Sequence, residues 1–266
     1  GNNGWYVNDV TVSWDVSDPE SGIASSNGCD TVTIDYDTTG ETLTCSATNG
    51  AGLSDSVSVT IKRDATPPTV NILGISNGQQ FDFGDTLPPV TCYATDNLSG
   101  IESCTITPEQ LPTSVGTHTI TATAKDKAGN EAAGNEATAS IQYTIVAWTI
   151  KGFYQPVDMN DVVNVAKAGS TIPLKLEVFK TLSGTELTDT SIVKPLKAQR
   201  INCININDLS TDEIELTATG STSLRYDPIE GQFIYNWKTP SQSNTCWKVI
   251  LTTIDGSSIY ALFRLR

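Results

Sequence analysis

The chain uses one turn phrase twice, and that repetition constrains its fold more than any other feature. Residues 18–23 read Asp-Pro-Glu-Ser-Gly-Ile, and residues 96–101 read Asp-Asn-Leu-Ser-Gly-Ile. An alternating run precedes each copy: Val12-Ser13-Trp14-Asp15-Val16 in the first, Val90-Thr91-Cys92-Tyr93-Ala94 in the second. Downstream, Ala47-Thr48-Asn49-Gly50-Ala51-Gly52 answers Ala124-Lys125-Asp126-Lys127-Ala128-Gly129. Matched phrases in the same order define an internal repeat of roughly 80 residues, the size of a small β-sandwich and too long for a solenoid turn.

Length alone suggests about two domains for 266 residues, and the repeat raises this to three. The expected modules are 1–64, 65–147 and 148–266. β-branched residues interrupted by Gly, Asn, Asp and Pro read as strands and turns, and no segment carries a helical stripe. The fold class that follows is all-β: three tandem β-sandwich modules. In the first, Val12, Trp14 and Val16 alternate as in a half-buried strand, and Asn49-Gly50-Ala51-Gly52 is a hairpin signal. Pro67-Pro68 makes the following joint short and stiff. In the third, strands are expected at 148–154, 162–165, 172–179, 214–219, 233–237, 247–254 and 259–265, with a polar loop over 181–197 and a hairpin turn at Asp255-Gly256.

The two repeats differ at the front. The second has a long run between its proline pair and Val90, whereas only eleven residues precede Val12. The first module therefore lacks a leading strand, which exposes unpaired backbone and core. Three explanations stand side by side: a shorter unit, upstream residues cut away, or a strand donated by another subunit. The sequence has no signal peptide and no initiator Met, so Gly1 reads as a processed or cut end.

Net charge is −14, carried entirely by the two repeats. Residues 1–64 hold ten acids and two bases, residues 65–147 eight and two, and residues 148–266 twelve of each. No basic stripe exists to meet phosphates, which argues against a nucleic-acid partner. No apolar run approaches the roughly 20 residues that span a bilayer. The six cysteines fall two per module, Cys29 with Cys45, Cys92 with Cys104 and Cys203 with Cys246. Six allow 15 pairings, of which two per module favours the intramodular set. None has Cys-x-x-Cys spacing, so the reading is disulfides in an oxidising, extracellular setting.

The first two modules resemble bacterial and archaeal Ig-like surface repeats. Trp5-Tyr6, the Ser-Gly-Ile phrase, Asp126-Lys127-Ala128-Gly129-Asn130 and the Asp64-to-Pro68 joint carry the resemblance. The first module departs from the pattern, with Asn49 and Leu53 where the family has Asp and Asn. The third resembles the PxKF-type domain at the C-termini of such proteins, on Gly152-Phe153-Tyr154-Gln155-Pro156-Val157-Asp158, Lys167 to Leu176, Tyr235 to Thr239 and Cys246-Trp247. The resemblance implies a secreted or cell-surface protein with tandem modules and no catalytic residues.

Candidate sites follow. Asp18, Asp96, Asp126 and Asn130 sit at turns and Asp64 at the joint, an oxygen-rich set of the kind calcium takes. The competing reading is that Asp and Asn cap their own turns. Lys167 and Lys175 invite comparison with Lys–Asn crosslinks, although the phrases around them are explained as family structure. Trp148, Phe153, Tyr154, Trp237, Trp247 and Tyr260 would form a sugar-stacking platform if exposed in a row, and most are expected in the core. His118, the only histidine, is placed on the outward phase of a strand with no nucleophile-elbow sequence to serve. The expected function is a non-enzymatic structural or adhesive segment of a surface appendage, filament or sheath. Its partners are copies of itself or other surface proteins, with strand donation to the first module as one route. The alternative is a glycan- or wall-binding accessory region of a larger secreted enzyme.

Overall fold

The computed structural model describes residues 1–132, 140–159, 161–203, 209–215 and 224–266. Strands are their dominant regular structure, joined by turns and loops; among them one 3₁₀ turn, Thr190–Ile192, is the only helical element. Strands pair into six sheets, two per module, and the chain is a tandem array of β-sandwich modules.

The first module contains β1 (Val10–Val12), β2 (Ile23–Asn27), β3 (Val32–Ile34), β4 (Thr38–Asn49) and β5 (Ser54–Arg63). One sheet is β1-β3 and the other β2-β4-β5, with Ile34, Cys45 and Ile61 buried between them. The hairpin from β4 to β5 follows from Asn49, whose Oδ1 accepts the N–H groups of Ala51 and Leu53. The expected Val12–Val16 strand is cut short. Burial still alternates through residue 17, but only Val10–Val12 has a ladder partner, and among the described residues 13–17 pair with nothing.

In the second module the equivalent segment has a ladder partner. The module has β6 (Thr69–Leu73), β7 (Gln79–Asp82), β8 (Thr91–Thr95), β9 (Ile101–Thr107), β10 (Gly116–Asp126), β11 (Glu131–Ala132) and β12 (Ser140–Val146). β8 follows the same repeat phase as residues 13–17 and pairs with β6, Val70 opposite Ala94 and Ile72 opposite Cys92. The other sheet runs β11-β10-β12-β7, with β9 on β10. Val70, Ala122 and Ala124 form the centre of this core, with Ile72, Cys92, Ala94, Cys104 and Ile106 around them. Among the described residues the first module has no counterpart of β6 or β7.

The third module contains β13 (Thr149–Tyr154), β14 (Val163–Ala166), β15 (Thr171–Phe179), β16 (Lys197–Ile201), β17 (Leu209–Glu215), β18 (Arg225–Asp227), β19 (Gln232–Lys238), β20 (Thr245–Thr252) and β21 (Ser258–Leu265). Its sheets are β13-β15-β19-β18 and β14-β21-β20-β16-β17. Inward residues recur every second position: Leu174, Leu176 and Val178 on β15, Phe233, Tyr235 and Trp237 on β19, Trp247, Val249 and Leu251 on β20. Each such side chain contributes about 1.5–3 kcal/mol by leaving water. β16 and β18 add to the strands expected from sequence. The strand expected at 214–219 lies N-terminal to that position as β17, and 216–219 fall outside the described residues. The loop expected to be polar over 181–197 buries Ile192, Val193 and Leu196 in the core. Pro173 lies beyond the last β13 pair, Tyr154↔Lys175, where β15 pairs β19 alone.

Disulfides join Cys29 to Cys45, Cys92 to Cys104 and Cys203 to Cys246. By packing, the chain divides into two compact units. One comprises Gly1–Gln79, Pro88–Pro112 and Thr119–Tyr143; the other comprises Gln80–Leu87, Thr113–His118 and Thr144–Arg266. The 64/65 joint lies inside the first unit and the 147/148 joint inside the second. Within the second unit, buried Asp82 accepts the N–H groups of Leu182 and Ser183, Lys180 Nζ meets Asp85 at 2.5 Å, and Trp148 Nε1 donates to the Phe83 carbonyl. Burial opposes ionisation of Asp82, but those N–H donors outweigh it and hold its carboxyl below the usual range.

Candidate functional site

The joint after β5 is the most polar buried place in the first compact unit. Two carboxylates build it. Asp37, between β3 and β4, accepts from Arg63 Nη1 at 2.8 Å, from the Ala65 N–H at 2.9 Å and from the Thr66 hydroxyl at 2.7 Å. The Thr66 hydroxyl holds the Asp37 carboxyl below the usual carboxylate range against the effect of burial, helped by the Ala65 N–H and the guanidinium. Arg63 also pairs with Asp9 at 2.8 Å. Asp64, fully buried, accepts the Thr66 N–H at 3.2 Å and, from the second module, the Ser99 N–H at 3.0 Å. The backbone pairs too, with the Tyr6 N–H on the Lys62 carbonyl and the Asp64 N–H on the Tyr6 carbonyl.

Around Asp64 the second module closes a triad. Ligand-capable oxygens of Asp64, Asp96 and Asp126 lie within 4.8 Å of one another. β8 ends just before Asp96, whose Oδ1 accepts the N–H groups of Leu98 and Gly100. β10 ends on Asp126, whose Oδ1 accepts the N–H groups of Gly129 and Asn130. Asn130 completes the arrangement by donating from Nδ2 to the Asp64 carbonyl at 2.7 Å and to Asp126 Oδ2 at 3.0 Å. Gly129 is required here: its φ is +104°, and a Cβ would lie 2.6 Å from Asn2 Nδ2. Asn3 Nδ2 reaches the Lys127 carbonyl from the first module.

Among the described residues none of the three carboxylates forms an ion pair, and Asp96 Oδ2 has no hydrogen-bond partner. Three like charges this close repel by roughly 3–4 kcal/mol per pair at an effective dielectric of about 20. The backbone N–H donors offset part of this. Hard oxygens at this spacing are also the donor set of a hard divalent cation. Asp64, Asp96 and Asp126 are the residues that could hold one, with Asn130 orienting the Asp126 carboxylate and holding the Asp64 main chain.

Asp18 is not part of this group. In the first module its Oδ1 accepts the Glu20 and Ser21 N–H groups, and its Oδ2 accepts Asn49 Nδ2 at 2.8 Å. The Ser21 N–H and then the Asn49 amide hold its carboxyl below the usual range. Asn49 occupies the repeat position of Asp126, and its amide hydrogens replace a carboxylate facing Asp18. The sequence pattern marked this departure. Asp37, Asp9 and Ser99 were missed, because an isolated Asp in a strand-rich run carries no signal of what folds against it.

The remaining candidates resolve differently. Trp148, Phe153, Trp237 and Trp247 are buried, and the Tyr154 and Tyr260 hydroxyls each donate to a carboxylate at 2.5 Å, Glu177 and Asp161 respectively. These six rings form no exposed row. Lys167 is exposed and Lys175 half-buried, and among the described residues neither side chain bonds an Asn or Asp. His118 shares the phase of buried Ile120 rather than the outward one, and its Nε2 lies 2.7 Å from the Ser114 carbonyl.

No family model matches the chain, and no curated protein matches it. Among solved structures it is similar to the N-terminal eight Ig domains of Down Syndrome Cell Adhesion Molecule, at 13% identity and a TM-score of 0.34, over 98% of this chain and 39% of that one. It is similar to cadherin domains 3–6 of protocadherin gamma B2 at 12% identity and a TM-score of 0.26, over 96% and 64%. A Bacteroides ovatus protein, SGBP-B, solved with a mixed-linkage heptasaccharide, gives 9% identity and a TM-score of 0.20, over 99% and 65%. The chain thus spans less than two thirds of the length of each.

Proposed function

We propose that this chain is a non-enzymatic, extracellular structural or adhesive segment of a surface appendage, filament or sheath, whose first two modules are set in one fixed relation by their joint. The joint network carries this reading. Asp37 and Asp64 hold both sides of a single turn of chain, and Asn130, Ser99, Asn2 and Asn3 close over it. A flexible tether needs none of these bonds; a spacer that transmits position does. Three disulfides in small modules fit an oxidising, exposed setting. Among the described residues no helix is long and apolar enough to cross a membrane.

Calcium at Asp64, Asp96 and Asp126 is part of the proposal, as the ion that neutralises the triad and stiffens the joint. The test of the function is native material imaged by negative stain with and without chelator, alongside light scattering. Ordered filaments or sheets support a structural subunit. A dispersed monomer that binds no surface counts against it.

A further inference from the structure

Away from the joint, the third module holds a pocket whose polar groups have no use within the fold. A cavity of about 290 Å³ opens between the segment around the 3₁₀ turn and the start of β18, within the second compact unit. Val193, Pro195 and Leu224 give it an apolar wall, and Thr190, Lys194 and Tyr235 bring polar groups to it. Backbone bonds set the wall in place. The Lys194 N–H donates to the Thr252 carbonyl, the Ile254 N–H to the Ile192 carbonyl, and Val193 bridges to Thr253, so this segment is tied to the end of β20. Tyr235 alternates inward with Phe233 and Trp237 on β19 and is 9% exposed. A buried tyrosine ordinarily finds a partner for its hydroxyl, as Tyr154 and Tyr226 do in this module on Glu177 and Glu186. Among the described residues the Tyr235 hydroxyl has none. Burial pushes its pKa up, which keeps it protonated and able to donate. Lys194 is exposed and pairs with no carboxylate among the described residues. Asp189, at the head of the turn, is not in the lining, and the Ser191 N–H and then its hydroxyl occupy it.

We propose that this pocket binds a hexuronate, one acidic sugar unit of an anionic polysaccharide. Each part of the lining selects a part of that ligand. Lys194 meets the carboxylate, the Tyr235 and Thr190 hydroxyls meet sugar hydroxyls, and Val193, Pro195 and Leu224 take the C–H face of the ring. A phosphate has no C–H face to fill the apolar wall. A fatty carboxylate leaves the buried Tyr235 hydroxyl unpaired, which costs binding energy. The volume lies at the small end of the roughly 300–1,000 Å³ of small-molecule sites, which admits one ring. The third module is also the one that an anion can approach, since it holds twelve acids and twelve bases while the two repeats carry the whole net charge of −14. This adds a ligand to the adhesive reading and goes beyond it.

The probe is sodium glucuronate titrated into the 266-residue protein, read by backbone amide shifts at Ser191, Val193, Lys194 and Leu224. Saturable shifts are expected there. Tyr235→Phe removes a hydroxyl that no described residue uses, so the fold is kept and glucuronate binding weakens about fivefold, the worth of one neutral hydrogen bond. Lys194→Gln, at an exposed position, weakens it about two- to fivefold. Methyl glucoside, with hydroxyls and no charge, binds more weakly than glucuronate by about that factor and is indifferent to Lys194→Gln. Propionate, with charge and no hydroxyls, is indifferent to Tyr235→Phe. Three results overturn the proposal: no saturable shift at these amides with glucuronate, equal affinity for glucuronate and methyl glucoside, or glucuronate affinity unchanged in Tyr235→Phe. Each leaves the imaging of native filaments untouched, so this inference and the structural reading fail separately.

Discussion

Asp126→Asn writes the first module's solution into the second, and its effect on stability should depend on calcium. The substitution keeps Oδ1 for the Gly129 and Asn130 N–H groups but removes one of three charges lying within 4.8 Å. Two repulsive pairs disappear, each roughly 3–4 kcal/mol at an effective dielectric of about 20, and less for the pair with half-exposed Asp96. Against this stand the weaker neutral bonds to two N–H groups and the lost acceptor for Asn130 Nδ2, about 1 kcal/mol each. In chelator the variant should therefore be more stable than the parent by about 1–4 kcal/mol. With calcium at a hundredfold its dissociation constant the parent gains about 2.7 kcal/mol that the variant forgoes, and the advantage shrinks or reverses. The assay is native-state amide exchange at Ala122 and Ala124, core residues whose opening reports the whole module. If the variant is destabilised equally in chelator and in calcium, the N–H donors alone hold the triad and the metal reading fails.

Reduction of the disulfides should lower the melting temperature of every module, because each bridge in a small domain is worth about 2–5 kcal/mol; superimposable melts with and without reductant would count against this. Ser99→Ala leaves the buried Ala128 N–H without its acceptor, so opening there should become easier by about 1–3 kcal/mol, read as faster exchange at Ala128, and unchanged exchange would refute the role. The Tyr154 hydroxyl is pushed up to about 12 by burial first and by its bond to Glu177 second. Its folded value lies above the unfolded one, so the stability it contributes is complete below pH 10 and is lost between about pH 10 and 12. Burial and carboxylate partners also raise Tyr36, Tyr143, Tyr226, Tyr235 and Tyr260, so the test is a difference: Tyr154→Phe should remove a late step from the ultraviolet titration, and an unchanged curve above pH 10 would contradict the assignment.

Much of the architecture was legible because β-sandwiches repeat every second residue and punctuate with Gly, Asn and Asp. In the third module Leu174, Leu176 and Val178 alternate through the strand expected at 172–179, and all three are buried in the fold. What the sequence hid depends on long-range meetings. Lys197–Ile201 looks like a charged loop until β20 pairs with it, and Ile192, Val193 and Leu196 look like stray apolar residues until a core closes over them. At the site, Asp96 and Asp126 were marked by their turns. Asp37 and Ser99 act only because the joint folds back onto both modules, which no local pattern encodes.

A joint that fixes the first two modules also fixes the distance between them, and that distance can be measured. Spin labels carried by noncanonical residues at exposed Asp30 and Glu109 place one probe on each module without disturbing the disulfides. The expected result is a single narrow distance distribution in the parent protein and a broad one in Asp37→Ala, which strips Arg63, Ala65 and Thr66 of their shared acceptor. A broad distribution in the parent, unchanged by the substitution, would contradict it.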